Sequence, residues 1–200
     1  MKSVAREVIE TILLAALVFL LIQLTFQNFR VKGASMDPNL REGEHLLVNK
    51  LAYLHIDPAW LNSMFPFLNI DPRSPVYLFG LPQDGDVIVF RFPRDPSRDF
   101  IKRVIAGPGE TVEMRSGKVF VNGQPLDEPY IYERDRFSMP PVRVPPDSFF
   151  VMGDNRPGSN DSRDWGPVPR QYIVGKAWVS YWPVNAWGFV PNYSYARPNN

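Results

Sequence analysis

The longest unbroken pattern along the chain is an apolar run near its start. From Thr11 to Phe29 there is no charge, and Leu, Ile, Val, Ala and Phe dominate. Nineteen residues rise about 28 Å as a helix, close to the roughly 30 Å hydrocarbon thickness of a bilayer. The run therefore predicts a retained transmembrane helix over 11–29. A cleavable signal peptide has a shorter apolar core of about 7–15 residues. Lys32, third back from a cut after Ala34, also departs from an A-x-A exit. A buried soluble helix would need a helical partner, and the remaining pattern offers none. Lys2 and Arg6 flank one side and Arg30 and Lys32 the other, so counting positive charges leaves the orientation open.

From Val31 onward the hydrophobic period is mostly that of strands. Glu44–Lys50, Asp86–Phe92, Phe100–Ala106, Ser148–Met152 and Val174–Trp182 read as strands, with Pro93–Asp99 a charged turn. Thr111–Met114 and Lys118–Val121 flank Arg115-Ser116-Gly117, a hairpin signal. Asp57–Pro75 is punctuated by proline and holds Trp60, Leu61, Met64, Phe65, Phe67 and Leu68. It reads either as a loop capping the core or as an apolar patch at a bilayer interface. Gln124–Asp147, rich in Pro and charge, is an inserted excursion. The expected organisation is an N-terminal segment 1–10, a transmembrane helix 11–29, a β domain 30–191 with an insertion about 113–147, and a loose tail 192–200.

Composition supports that outline. The 200 residues suffice for one modest domain, and 21 prolines disfavour helices after the first. A net charge of +1 gives a nucleic-acid reader no electrostatic support. With no cysteine, disulfides, thiol chemistry and Cys-built zinc sites are excluded.

Three segments carry candidate chemistry. Gly33 to Leu40 holds Ser35, by default a turn residue, but only six residues past Phe29. Extended, that spans about 20 Å, so a nucleophile there works at the membrane surface. In Phe100–Glu110, strand alternation puts Lys102 on one face with Phe100 and Val104. On an open face Lys102 is a solvated strand lysine. On a buried face it loses hydration and its pKa falls, which makes it a competent general base for a serine. Gly153 to Gly166 is dense in polar residues. A cation loop fits it poorly, because Arg156 and Ser159 fall on ligand positions. Only His45 and His55 could serve a Ser-His-Asp triad.

Four motifs in order give the chain a family resemblance. They are Ser35-Met36-Asp37-Pro38-Asn39-Leu40, Gly85-Asp86-Val87-Ile88-Val89-Phe90, Lys102 through Glu110 with Gly107-Pro108-Gly109, and Gly153-Asp154-Asn155-Arg156 through Asp161-Ser162-Arg163. In these the chain resembles type I signal peptidases of bacterial and thylakoid kind, from the anchor to Trp182-Pro183. The resemblance implies a mainly β, signal-peptidase-like catalytic core with a small inserted β subdomain behind one transmembrane helix. It implies Ser35 as nucleophile, with its backbone N–H as oxyanion donor, and Lys102 as general base. Ser159 would orient the Lys102 amine, Asp161 and Arg163 would brace the loop as an ion pair, Asp154 and Asn155 would support the turn, and Met36 would line the site. Substrates would be exported preproteins with small residues at −1 and −3, cut on the outer or lumenal face of a plasma or thylakoid membrane. No cofactor, metal or nucleic acid is expected; membrane lipid is, and the chain is expected to act as a monomer. Three departures stand out: Asn39 in place of Thr, Ala106-Gly107 in place of Gly-x, and Gly33 where some members carry a serine that donates to the oxyanion. A related processing peptidase with other substrates, or a non-catalytic tethered β domain, is the alternative.

Overall fold

The structure, a computed structural model, describes residues 4–56, 58–71, 76–193 and 195. Residues 1–3 of the N-terminal segment, 57 and 72–75 of the proline-punctuated stretch, and 194 and 196–200 of the tail lie outside the described residues.

Helix α1 spans Val4–Thr25. Arg6–Thr25 is long and apolar enough to cross a membrane, and none of it is buried against the rest of the chain. Its hydroxyls turn back onto the helix: Thr11 Oγ1 donates to the Glu7 carbonyl and Thr25 Oγ1 to that of Leu21. The helix stops four residues short of the expected Phe29. Phe26–Arg30 form a strand, β1, paired antiparallel with β2 (His45–Asn49). Lack of charge did not mean helix here, because the amides of Gln27 and Asn28 sit on a sheet edge. Lys50 closes the helix end, its backbone N–H on the Thr25 carbonyl at 2.9 Å and its Nζ on that of Gln23 at 3.2 Å.

The short strands β3 (His55–Ile56) and β4 (Val76–Tyr77) pair with each other. Between them lie α2 (Pro58–Met64) and a 3-10 turn at Pro66–Leu68. This stretch does not cap the core: Trp60, Met64 and Phe67 are exposed.

The remaining strands are β5 (Val87–Phe92), β6 (Asp95–Ala106), β7 (Thr111–Arg115), β8 (Lys118–Val121), β9 (Gln124–Pro125), β10 (Met139–Arg143), β11 (Ser148–Met152), β12 (Val168–Pro169), β13 (Ile173–Trp182) and β14 (Gly188–Phe189). A four-residue helix, α3, covers Ser162–Trp165. The main sheet runs β1-β2-β13-β5-β6-β11-β12, with β14 on β13. Strand β6 begins at Asp95, so most of the expected turn Pro93–Asp99 is strand. Asp99 pairs with Arg91 and Asp95 with Phe92 across a register shift. Charge there marks an exposed stretch of strand, not a loop.

The second sheet, β10-β7-β8-β9, lies over the expected insertion. Its β7–β8 hairpin turns at Ser116 and Gly117, both with positive φ (49° and 80°), as a two-residue turn matched to strand twist requires.

Alternation along β11 separates two parts of the core. Phe150 and Met152 pack with Ile105, Val112 and Val119 beneath the second sheet. Phe149 and Val151 pack with Ile88, Phe90 and Val104 on the opposite face. A third cluster, Val31, Met36, Leu40, Leu46, Val87 and Ala177, fixes the loop after β1.

Two buried ionic centres tie these layers together. Asp86 accepts from Tyr53 Oη at 2.7 Å and Lys176 Nζ at 2.6 Å, and burial raises the pKa of Tyr53 far above that of a free phenol. Arg103 has no exposed side-chain surface. It grips Asp154 through Nε and Nη2 at 2.8 and 2.7 Å and donates Nη1 to the carbonyls of Gly85 and Pro191, both at 2.8 Å. Replacing one partner of such a pair strands a charge in the interior and costs about 3–5 kcal/mol, whereas replacing both by apolar groups is far milder. In urea unfolding followed by tryptophan fluorescence, Arg103→Leu is therefore expected to lose stability on that scale, and Arg103→Leu with Asp154→Leu to regain much of it.

Candidate active site

Ser35 lies in the turn-rich segment between β1 and β2. Asn155 holds its backbone at two points: N–H to the Ser35 carbonyl at 3.0 Å and Nδ2 to the Ala34 carbonyl at 2.9 Å. Below it Met36 is fully buried, so it anchors the loop in the core while adjoining the serine. Helix end to serine is ten residues, not six, and β1 takes up five of them.

Lys102 reaches Ser35 from β6, with Nζ 2.6 Å from Oγ. It is only 4% exposed. Its strand face is the buried one, shared with Val104 and with Ile88 across the sheet, and Nζ lies 5.5 Å from the Phe100 ring centre. Burial pushes its pKa down to about 8; Asp161 and Asp154 pull it back up, and Arg163 adds a smaller downward push.

The loop from Gly153 supplies the surroundings. Asp161 accepts from Gly153 N–H at 3.0 Å and from Arg163 Nε at 2.8 Å, and caps α3 through Arg163 N–H at 3.2 Å. Arg163 also pairs with Asp135 and donates to the Arg156 and Ser159 carbonyls. The expected Asp161–Arg163 pair is thus present. The expected hydrogen bond from Ser159 to Lys102 is not formed: Ser159 Oγ is buried without a partner. The Lys102 amine points instead at Ser35, and Ser159 packs against Gly153.

Five residues contribute in ways the sequence did not assign. Asn39, which stands in place of Thr, donates its amide to Asp154 Oδ2 at 2.8 Å and to the Tyr130 carbonyl at 2.9 Å. Arg103 neutralises Asp154. Glu128 and Arg156 form a second fully buried pair behind the loop. Gly153 lets the two serines approach, since a Cβ there would stand 2.3 Å from Ser159 Oγ and 2.4 Å from the Ser35 carbonyl oxygen. Only its place in the Gly153–Arg163 motif could have drawn attention to it.

Ser35 and Lys102 open onto a groove of ≈ 700 Å³. One wall is β1 and the segment to Ser35; the other is Ser97 to Lys102 of β6. Strand β1 is a sheet edge, and an edge accepts an added strand. His45 places its ring edge-on to Tyr181, at 5.9 Å, and the partner of Ser35 Oγ is Lys102; the His55 side chain lies outside the described residues. A buried amine of lowered pKa beside a hydroxyl can deprotonate it, which is the chemistry of an activated nucleophile. Gly153→Ala is expected to slow labelling of Ser35 by a serine acylating reagent by on the order of 10²-fold, since a misplacement of about 1 Å suffices for that. Mass spectrometry of the labelled protein measures it.

Comparison with known proteins adds a family context. Residues 5–182 match the family described as signal peptidase, peptidase S26. The chain is 37% identical over 198 residues to the probable signal peptidase I-1 of Synechocystis sp. (strain ATCC 27184 / PCC 6803 / Kazusa), covering 95% of this chain and 89% of that one. It is 48% identical over 137 residues to the signal peptidase I of Leptolyngbya laminosa, covering 63% and 68%. It is 38% identical over 135 residues to thylakoidal processing peptidase 1, chloroplastic, of Arabidopsis thaliana, covering 60% and 40%.

Proposed function

Given that the chain belongs to the signal peptidase family, peptidase S26, we propose that it cuts signal peptides from preproteins with Ser35 as nucleophile and Lys102 as general base. Membership makes it a serine peptidase with signal peptidase I activity. The assignment of residues is carried by one observation, the 2.6 Å contact between Lys102 Nζ and Ser35 Oγ.

Neutral Lys102 takes the Ser35 proton as Oγ attacks the carbonyl of the residue at −1. The oxyanion is held by the Ser35 N–H, which carries no hydrogen bond among the described residues. Gly33, at φ 76° with open space around it, offers no side-chain donor. The Lys102 ammonium then protonates the leaving amine, and water, activated by the same base, releases the acyl group. Asp161 with Arg163, and Asp154 with Asn155, hold the loop that shapes the base's surroundings, and Ser159 fills the space beside Gly153.

The substrate lies extended in the groove. In an extended chain, positions −1 and −3 share one face, and shallow contacts with Phe29, Phe100 and Ile101 leave room for small side chains there. Helix α1 anchors the enzyme, with the catalytic domain on the outer or lumenal face. Exposed aromatics favour a seat at a bilayer surface: Phe26, the first residue after the helix, stacks on Trp178 at 5.2 Å, and Trp187, Phe189, Trp60 and Phe67 are bare.

Ser35→Ala and Lys102→Ala are each expected to abolish preprotein cleavage while the proteins remain folded by circular dichroism; cleavage by purified Lys102→Ala would refute the dyad. Because the neutral amine is the active form, kcat/KM should rise with pH through a single limb centred near 8, measured on a fluorogenic A-x-A peptide. A limb near pH 6.5 that vanishes in His45→Ala would point to a histidine base.

A further inference from the structure

Beyond residue 182, where the family match ends, the chain doubles back over the site's support. Val190 donates to the Trp178 carbonyl at 2.9 Å and is buried beside Met36 and Val87. The next residues cross the start of β5. Asn192 Oδ1 accepts from Val87 N–H at 3.0 Å, and Tyr193 N–H donates to the Gly85 carbonyl at 3.3 Å. The crossing is so close that a Cβ on Gly85 would stand 1.4 Å from the Tyr193 carbonyl oxygen. The Gly85 of the second motif thus has a partner that the motif does not include.

What the segment covers is Arg103. The Pro191 carbonyl takes one Nη1 bond at 2.8 Å. The Tyr193 ring lies 5.0 Å from the guanidinium, and Tyr130 sits on it at 4.3 Å. Tyr195 ends the wrap, its hydroxyl 2.5 Å from that of Tyr130. The guanidinium is therefore enclosed by Asp154, two carbonyls and two aromatic rings.

We infer that residues 190–193, with Tyr195, form a strap that positions the Lys102 base through Arg103, with Tyr193 as its principal positioning residue. Asp154 faces both sides: it binds Arg103 and acts on Lys102, the preceding residue of β6. The charged groups around Lys102 are Asp154, Asp161 and Arg163. Those around Arg103 are Asp154 and the phenols of Tyr130 and Tyr195. Opening the strap lets water reach Nη1, loosens the grip on Asp154 and leaves that carboxylate less neutralised. A less neutralised Asp154 holds the Lys102 proton more tightly, so more alkali is needed to free the base.

This inference rests on Lys102 acting as the base, and the test separates the two. The full-length protein in detergent is assayed for kcat/KM against pH on the A-x-A peptide, with thermal unfolding measured beside it. Tyr193→Phe keeps the ring over the guanidinium and should overlay the wild type. Tyr193→Ala should move the ascending limb upward by about half a unit and lower kcat/KM about 3-fold below the limb. Should the alanine variant not fold, Tyr193→Leu, which keeps bulk but lacks a π-face for the cation, should show the same displacement. An unmoved limb in a folded Tyr193→Ala or Tyr193→Leu protein, whatever its melting temperature, overturns the strap. A wild type with no ascending limb overturns the base itself.

Discussion

Arg103 and Asp154 are both stripped of solvent, and the site is arranged around the way their charges cancel. An arginine cannot escape by losing its proton, so burial obliges the fold to meet its donors. It does so with a carboxylate in fork geometry and carbonyls from two distant segments. Each of those partners belongs to a different element: Asp154 to the loop after β11, Gly85 to the turn before β5, Pro191 to the segment after β14. Asp154 in turn fixes Asn39 in the serine loop. One ionic contact therefore registers the Ser35 segment, the Lys102 strand and the polar loop against one another.

The neighbouring residue is treated in the opposite way. Lys102 is adjacent on β6, and alternation sends it to the other face. There it meets apolar side chains and a serine, and among the described residues no carboxylate within hydrogen-bonding reach. Two carboxylates act on it from further off, yet desolvation outweighs them and leaves the amine near pH 8. Asp161 is kept from acting more strongly by Arg163, and Asp154 by Arg103. The arginines act as screens, so that two nearby anions do not undo what burial achieves. A Lys-Arg pair on a buried stretch of strand can thus hold one permanent cation beside one amine of lowered pKa.

That division explains what was legible in the sequence. Strands with alternating residues, the Ser116-Gly117 turn and the order of the four motifs were readable because local pattern and fold agree there. That Ser35 and Lys102 meet was legible only through resemblance, since taken singly Ser35 is a turn serine and Lys102 a strand lysine. Features depending on long-range closure were not readable. The end of α1 is set by Lys50, half a sheet away in sequence. The start of β6 was hidden because its charged residues face outward. Gly153 owes its importance to two side-by-side neighbours that no local pattern reveals. Ser159 lies beside Gly153, and its Oγ lacks the bond to Lys102 that the resemblance implies.

The junction between helix and sheet carries the argument one step further. Helix α1 passes into β1 without a linker, and β1 is both the edge strand and one wall of the groove. Five paired residues, Phe26 to Arg30 against Asn49 to His45, hold that strand, so the direction of the helix and the direction of the groove are coupled rather than free. A flexible tether would allow the site to sample any height above a bilayer. Here a paired strand follows the helix directly, and the stacked Phe26 and Trp178 stand at the point where the helix ends. With α1 seated in a bilayer, a substrate whose own apolar segment lies in the same bilayer would present its cleavage region beside β1, which reduces the orientational search that otherwise slows binding of an extended chain.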